Sequence, residues 1–206
     1  METAVIAENA QRRDAAGPPV RDRTNNELII DLLQTLNHLS RWLTPIHDWD
    51  ALEYSRHRSE PSVKDLLLDL RDTEVRVFSF MRAIAGEDNP DLDTIPQPEP
   101  TLAQEAKDRD AQPLVVMSEF RRVRQSSLSV LRALPDTAWQ RDGYSRRDRN
   151  WTIRQLAEFL LTHDREVLAR IDRALDLTAA RAEIAAVSQV GLAELSEPFV
   201  SVATRE

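Results

Sequence analysis

Residues 150–175 read NWTIRQLAEFLLTHDREVLARIDRAL. The apolar side chains recur at steps of three, four or seven, which is the spacing of one face of an α-helix; they are Ile153, Leu156, Leu160, Val167 and Ile171. Thr152, with Gln155 three residues later, has the pattern of a capping box, so we expect the helix to begin there. His163 falls on the same apolar face. The pattern predicts an amphipathic helix with one histidine on its buried side.

Three further segments have the same helical spacing of apolar residues, over about residues 24–45, 62–86 and 113–135. Thr24 begins a second capping box, and Ser62 is the predicted N-cap of the next helix. An amphipathic helix must bury its apolar face, and four such helices can do so against one another. The sequence therefore predicts an all-α four-helix bundle.

These helices define the expected domain boundaries. Residues 1–23 have no apolar periodicity, so we interpret them as a mobile N-terminal tail, and residues 24–175 form the bundle. Residues 176–206 form a C-terminal extension with room for one short helix. Residues 87–112, between the second and third helices, are rich in proline and aspartate. A connection of that length often shapes a pocket or crosses over a bundle.

The composition restricts the class of protein. The 206 residues include no cysteine, which excludes disulfides and thiolate metal ligands and agrees with a cytoplasmic location. A net charge of −8 argues against general nucleic-acid binding, which needs many lysines and arginines. No apolar run is long enough for a signal peptide or a membrane span. We therefore expect a soluble protein without nucleic-acid or membrane partners.

Three segments together resemble the DinB-like superfamily. They are PSVKDLLLDLRDTE at 61–74, AWQRDGY at 138–144 and WTIRQLAEFLLTHDREVLARI at 151–171, and the resemblance covers roughly residues 24–175. It implies a four-helix bundle with a divalent metal held by three histidines. The superfamily includes metal-dependent enzymes that use mycothiol or bacillithiol.

The resemblance also implies which residues occupy the metal-ligand positions. The second-helix ligand falls on Asp69, and the two fourth-helix ligands fall on His163 and Val167. Valine has no lone pair to offer a metal, and a catalytic zinc site usually has three protein ligands. Glu166, three residues after His163, is the candidate third donor, which gives Asp69, His163 and Glu166 as the predicted metal set.

Two functions follow from this reading. The first is a bundle with an incomplete metal site and no cofactor, which binds a small molecule or a partner in the cavity between its helices. The alternative is a metal-dependent thiol S-transferase or related hydrolase, which uses Asp69 and His163 with zinc or nickel and a low-molecular-weight thiol cosubstrate. A homodimer formed through exposed helix faces is a separate expectation.

Several polar residues have more than one interpretation. His163 is either a core histidine with a structural hydrogen bond, for which Asp69 is a candidate partner, or a metal ligand. Basic clusters precede and follow Pro135, namely Arg121, Arg122 and Arg124, and Arg146, Arg147 and Arg149. They either form surface ion pairs or bind an anion. Charges in the second helix are interpreted as an ordinary exposed face, and they are Arg71, Asp72, Glu74 and Arg76.

Overall fold

The chain is almost entirely helical in a computed structural model that describes residues 19–55, 60–97, 99–181 and 191. The helices are α1 (Asn25–Leu43), α2 (Asp50–Glu53), α3 (Val63–Gly86), α4 (Leu102–Asp110), α5 (Pro113–Ala133) and α6 (Ile153–Leu177). Short 3-10 turns lie at Val20–Asp22, Leu92–Thr94 and Asp136–Gln140. Two short strands, β1 (Asp142–Gly143) and β2 (Trp151–Thr152), pair antiparallel just before α6.

The long helices begin where the sequence predicts. Thr24 and Thr152 form the expected capping boxes with Glu27 and Gln155, and Ser62 forms a third with Asp65. In each box the side-chain oxygen satisfies an amide that the first helical turn leaves unpaired. Because these signals are local, they act in the same way whichever helices later become neighbours.

The four long helices run in two parallel pairs. One apolar cluster joins the C-terminal ends of α1 and α6 to the N-terminal halves of α3 and α5, and its members include Trp42, Leu66, Phe120 and Ile171. A second cluster joins the opposite ends and includes Leu28, Met81, Leu131 and Leu156. α1 and α6 therefore point one way, and α3 and α5 point the other way.

The packing order differs from that of a simple up-and-down bundle. The main helix pairs are α3 with α5, α3 with α6, α1 with α6, and α1 with α5. The first two long helices, α1 and α3, therefore lie diagonally opposite each other in the bundle. Since α3 and α5 are parallel neighbours, residues 87–112 must return along the length of the bundle, and this explains the long connection between them.

A central polar layer separates the two apolar clusters. It has one residue from each long helix, and all four are at most 2% exposed: Thr35, Glu74, Arg124 and Asp164. Arg124 donates hydrogen bonds from Nη1 and Nη2 to the Asp164 carboxylate at 2.6 and 2.9 Å. The Thr35 hydroxyl donates to Asp164 at 2.7 Å, and Nη2 of Arg124 lies 2.7 Å from Oε2 of Glu74. The layer thus links all four helices through one guanidinium.

The expectation of an exposed charged face was wrong for Arg71 and Glu74, and Arg124 is not a surface residue. They are 7%, 0% and 0% exposed. Glu74 lies four residues after Leu70 and three before Val77, so it occupies a core position of the same helical face. Arg124 lies four residues after Phe120 and four before Leu128, so it also occupies a core position. The helical spacing therefore indicates a core position for Glu74 and Arg124, whereas their charge alone suggests a surface position.

The ends of the bundle extend slightly beyond the predicted boundaries. Residues 20–23, assigned to the tail from sequence, contain a turn, and Arg154 donates hydrogen bonds to the carbonyl oxygens of Arg21 and Arg23. At the other end α6 continues to Leu177. Residues 1–18 and most of the C-terminal extension lie outside the described residues. Within the described part of the chain, the helices lack the combination of length and apolar character needed to cross a membrane.

Candidate functional site

Asp69 and His163 meet on the surface between α3 and α6. The Nε2 atom of His163 lies 3.3 Å from Oδ2 of Asp69, and Nη1 of Arg170 lies 4.0 Å from the same oxygen. The His163 side chain is 17% exposed and that of Asp69 is 45% exposed. α3 and α6 are antiparallel neighbours, so the fold brings together two residues that are far apart in sequence.

The imidazole of His163 is held on more than one side. Phe159, one turn earlier in α6, stacks on the ring with the centroids 6.2 Å apart and the planes 17° from parallel. The Nδ1 atom points into the protein and has no hydrogen-bond partner among the described residues. The structure thus places Asp69, the candidate hydrogen-bond partner, beside Nε2 of His163.

The third member of the predicted metal set, Glu166, does not form a metal-binding group with Asp69 and His163 among the described residues. Glu166 is exposed, and Val167 is 1% exposed within the first apolar cluster. Among the residues that the structure describes, no group of three or more histidine or carboxylate side chains could hold a metal ion. Asp69 and His163 supply two donors, whereas catalytic zinc usually has three protein ligands. Among the described residues, Asp69 and His163 are thus the two members of the predicted metal set that come into contact.

A concave region lies between α3 and α5, and we call it the α3–α5 cleft. Its volume is about 830 Å³, and α4 covers one side of it through Thr101, Gln104 and Asp108. The walls carry apolar groups from both long helices, Val75, Phe78 and Val123, and hydroxyl groups from Ser79 and Ser126. A cleft of this size with mixed walls is typical of small-molecule sites.

Arg71 forms the most extensive polar contacts in the cleft. Its Nη1 and Nη2 donate to the two carboxylate oxygens of Asp108, both at 2.7 Å, and Nη1 also donates to Glu119 at 2.9 Å. The Nε atom donates to Asp72 at 2.8 Å. The hydrogen bonds to Asp108 are the main cause that raises the pKa of Arg71 above its usual value. The same contact lowers the pKa of Asp108, so the pair is ionised at neutral pH.

Two further guanidiniums in the cleft are free. Arg76 and Arg122 are exposed, line the cleft, and have no ion-pair partner among the described residues. The three arginines of the basic cluster on α5 therefore have different surroundings. Arg122 lines the cleft, Arg121 donates to the hydroxyl of Ser40, and Arg124 is buried. Adjacent helical positions point in different directions, so a cluster in sequence is not a cluster in space. Arg122 remains a candidate anion contact.

Comparison with known proteins supports the fold. No protein-family model matches the chain, and no curated protein matches it. A similar solved structure is YfiT from Bacillus subtilis, described as a probable metal-dependent hydrolase with an unusual four-helix bundle topology. The TM-score is 0.62 at 15% identity, over 75% of this chain and 87% of YfiT.

The chain has the four-helix-bundle fold of YfiT. This confirms the all-α four-helix bundle predicted from sequence. At 15% identity the likeness to YfiT extends to architecture alone. Activity must therefore be argued from the residues of this chain.

Proposed function

We propose that this protein binds a small molecule in the α3–α5 cleft. The observation that carries the proposal is a cleft of about 830 Å³ whose walls combine apolar side chains with three arginines and four carboxylates; two of the arginines, Arg76 and Arg122, have no ion-pair partner among the described residues. Apolar walls supply most of the affinity in such sites, and a few polar groups orient the ligand. Arg76 and Arg122 are available for that role because no carboxylate of the described residues lies within 4.0 Å of their guanidinium nitrogens.

Native mass spectrometry of the purified protein tests the proposal. Ser126 is exposed and lines the cleft, so Ser126→Trp would fill the cleft without entering the core. Ser129→Trp is the matched control, because Ser129 is exposed on the same helix and lines a different groove. We expect a bound compound of defined mass on the wild type and on Ser129→Trp but not on Ser126→Trp. A compound that stays bound to Ser126→Trp would contradict the assignment.

A metal-dependent thiol S-transferase or hydrolase is the second candidate. It is supported by the 3.3 Å approach of His163 to Asp69 and by the description of YfiT as a probable metal-dependent hydrolase. Elemental analysis of protein purified without added metal tests it. Stoichiometric zinc or nickel that is lost in Asp69→Ala and His163→Ala but kept in His47→Ala, a change in an exposed loop, would support this function. Metal-free wild type would count against it.

The remaining expectations concern the molecule's surroundings. Homodimer formation, a cytoplasmic location and the absence of nucleic-acid partners stay predictions. Light scattering coupled to size exclusion measures the first directly, because a dimer would double the 23.5 kDa mass of the chain.

A further inference from the structure

Helix α4 is attached to the bundle in an unusual way. None of its residues is buried, and Leu102 at its start is 85% exposed. Most helices in proteins are held by the burial of an apolar face, and α4 has no such face in contact with the core. Its position over the cleft must therefore depend on polar contacts.

Those polar contacts are made by charged side chains. Arg71 holds Asp108 with two hydrogen bonds of 2.7 Å, and Lys107 donates to Glu119 of α5 at 2.8 Å. Lys64 of α3 donates to the carbonyl oxygen of Arg109 at 2.6 Å. The Arg71–Asp108 pair is the best shielded of these ion pairs, with side chains 8% and 15% exposed. A bidentate pair between charged groups is roughly twice as strong as a neutral hydrogen bond, so this pair is the main attachment.

We propose that α4 is a lid over the α3–α5 cleft, latched by Arg71 and Asp108, and that the ligand is a carboxylic acid that takes the place of Asp108 on Arg71. The proposal rests on the function proposed above for the cleft. The Nη2 atom of Arg71 donates to Asp108 and to no other described residue, Nη1 donates to both Asp108 and Glu119, and Nε donates to Asp72. Opening the lid therefore frees two N–H donors, one on Nη1 and one on Nη2, of a guanidinium that stays fixed in the wall.

The surroundings of Arg71 favour an acid with an apolar body. Arg76 and Arg122 line the same cleft and have no ion-pair partner among the described residues, and three carboxylates besides Asp108 also line it, namely Asp72, Glu99 and Glu119. The planar fork of arginine matches the geometry of a carboxylate, which Asp108 supplies in the closed form. Val75, Phe78 and Val123 offer apolar contacts beside it. Asp108 thus occupies the place of the ligand's acid group until the ligand arrives.

Hydrogen exchange tests the latch. Asp108→Asn keeps the shape of the side chain but removes its charge, so we expect the backbone amides of α4 to exchange about tenfold faster than in the wild type. Asp110→Asn is the matched control, because Asp110 is an exposed aspartate of the same helix whose side chain makes no ion pair or hydrogen bond with any residue that the structure describes. Equal protection of α4 in the two variants would overturn the latch.

Calorimetric titration with benzoate tests the ligand class, with neutral benzamide as the matched probe. Without Asp108 as a competitor, benzoate should bind Asp108→Asn about tenfold more tightly than the wild type, and benzamide should bind both proteins alike. Equal benzoate affinity in the two proteins would overturn the competition. Benzoate binding that survives Ser126→Trp would place the probe outside the cleft and contradict the proposed function, whereas the exchange experiment reports on the latch alone.

Discussion

Arg124 is the side chain through which the four long helices are connected in the core. Burial alone would lower its pKa, but the carboxylates of Asp164 and Glu74 outweigh burial and raise it, so the guanidinium is charged. Neither oxygen of Glu74 has an aligned hydrogen-bond donor among the described residues, although Nη2 of Arg124 is close. Asp164 therefore provides most of the hydrogen bonding that compensates the buried positive charge.

Removal of Asp164 should be strongly destabilising. Asp164→Ala leaves Arg124 buried with only Glu74 and the carbonyl oxygen of Leu32 as partners, and we expect the free energy of unfolding to fall by about 3–5 kcal/mol. Urea denaturation followed by circular dichroism measures the change. Glu166→Ala, at an exposed position of the same helix, should change it by less than about 0.5 kcal/mol. Similar midpoints for the two variants would contradict this role of the layer.

His38 should make the stability depend on pH. The ring is partly buried and stacks on Trp42, and burial, with a smaller effect of Arg41, lowers its pKa below the reference value of 6.5. As the pH falls through about 6.5, the unfolded chain binds the proton before the folded chain does, so the free energy of unfolding decreases. We expect His38→Gln to flatten this part of a urea-midpoint profile between pH 8 and pH 5. A profile unchanged from the wild type would exclude His38 as the cause.

The contact between the β1–β2 hairpin and the long connection, residues 87–112, depends on a glycine. A Cβ atom on Gly143 would lie 2.7 Å from Cδ2 of Leu92 and 3.1 Å from Cγ1 of Ile84. These distances are shorter than normal carbon contacts, so a larger residue must displace the buried side chain of Leu92. The hairpin therefore packs against the start of the connection, and α4, further along the same connection, covers the cleft.

The glycine contact gives a matched pair of substitutions. Gly143→Ala should lower the free energy of unfolding by about 1–3 kcal/mol because the site is already filled. A Cβ atom on Gly86 meets nothing within 4 Å, so Gly86→Ala should leave stability unchanged or raise it by about 0.4–1 kcal/mol. Thermal unfolding of both variants checks the difference. The interpretation fails if Gly143→Ala is as stable as the wild type.

For the whole molecule, the parallel arrangement of α3 and α5 sets a minimum length for their connection. α3 has 24 residues and so extends over about 36 Å. Replacing residues 87–112 with six glycine and serine residues, which reach roughly 20 Å, should prevent the native packing. A sixteen-residue linker, which reaches roughly 55 Å, should restore it. Circular dichroism and size exclusion compare the two, and a cooperative monomer with the short linker would contradict the assigned helix order.

Of the candidate site, the sequence could predict that Asp69 and His163 come together. Asp69 and His163 meet as the resemblance suggested, because their positions on α3 and α6 follow from the order of motifs along the chain. The α3–α5 cleft could be anticipated only as a pocket beneath a long loop. Its lining and the role of Arg71 depend on contacts between residues 37 and 48 positions apart, for which no local pattern exists.

The amino-acid sequence by itself determined the helices, their starting residues and their apolar faces, because capping and helical periodicity act within a few residues. The tertiary structure alone decided which helices became neighbours. That choice placed Thr35, Glu74, Arg124 and Asp164 in one layer, and it brought α4 over the cleft. A buried charge is tolerated only where a distant partner meets it, so the function of such a residue appears only after the helices have packed.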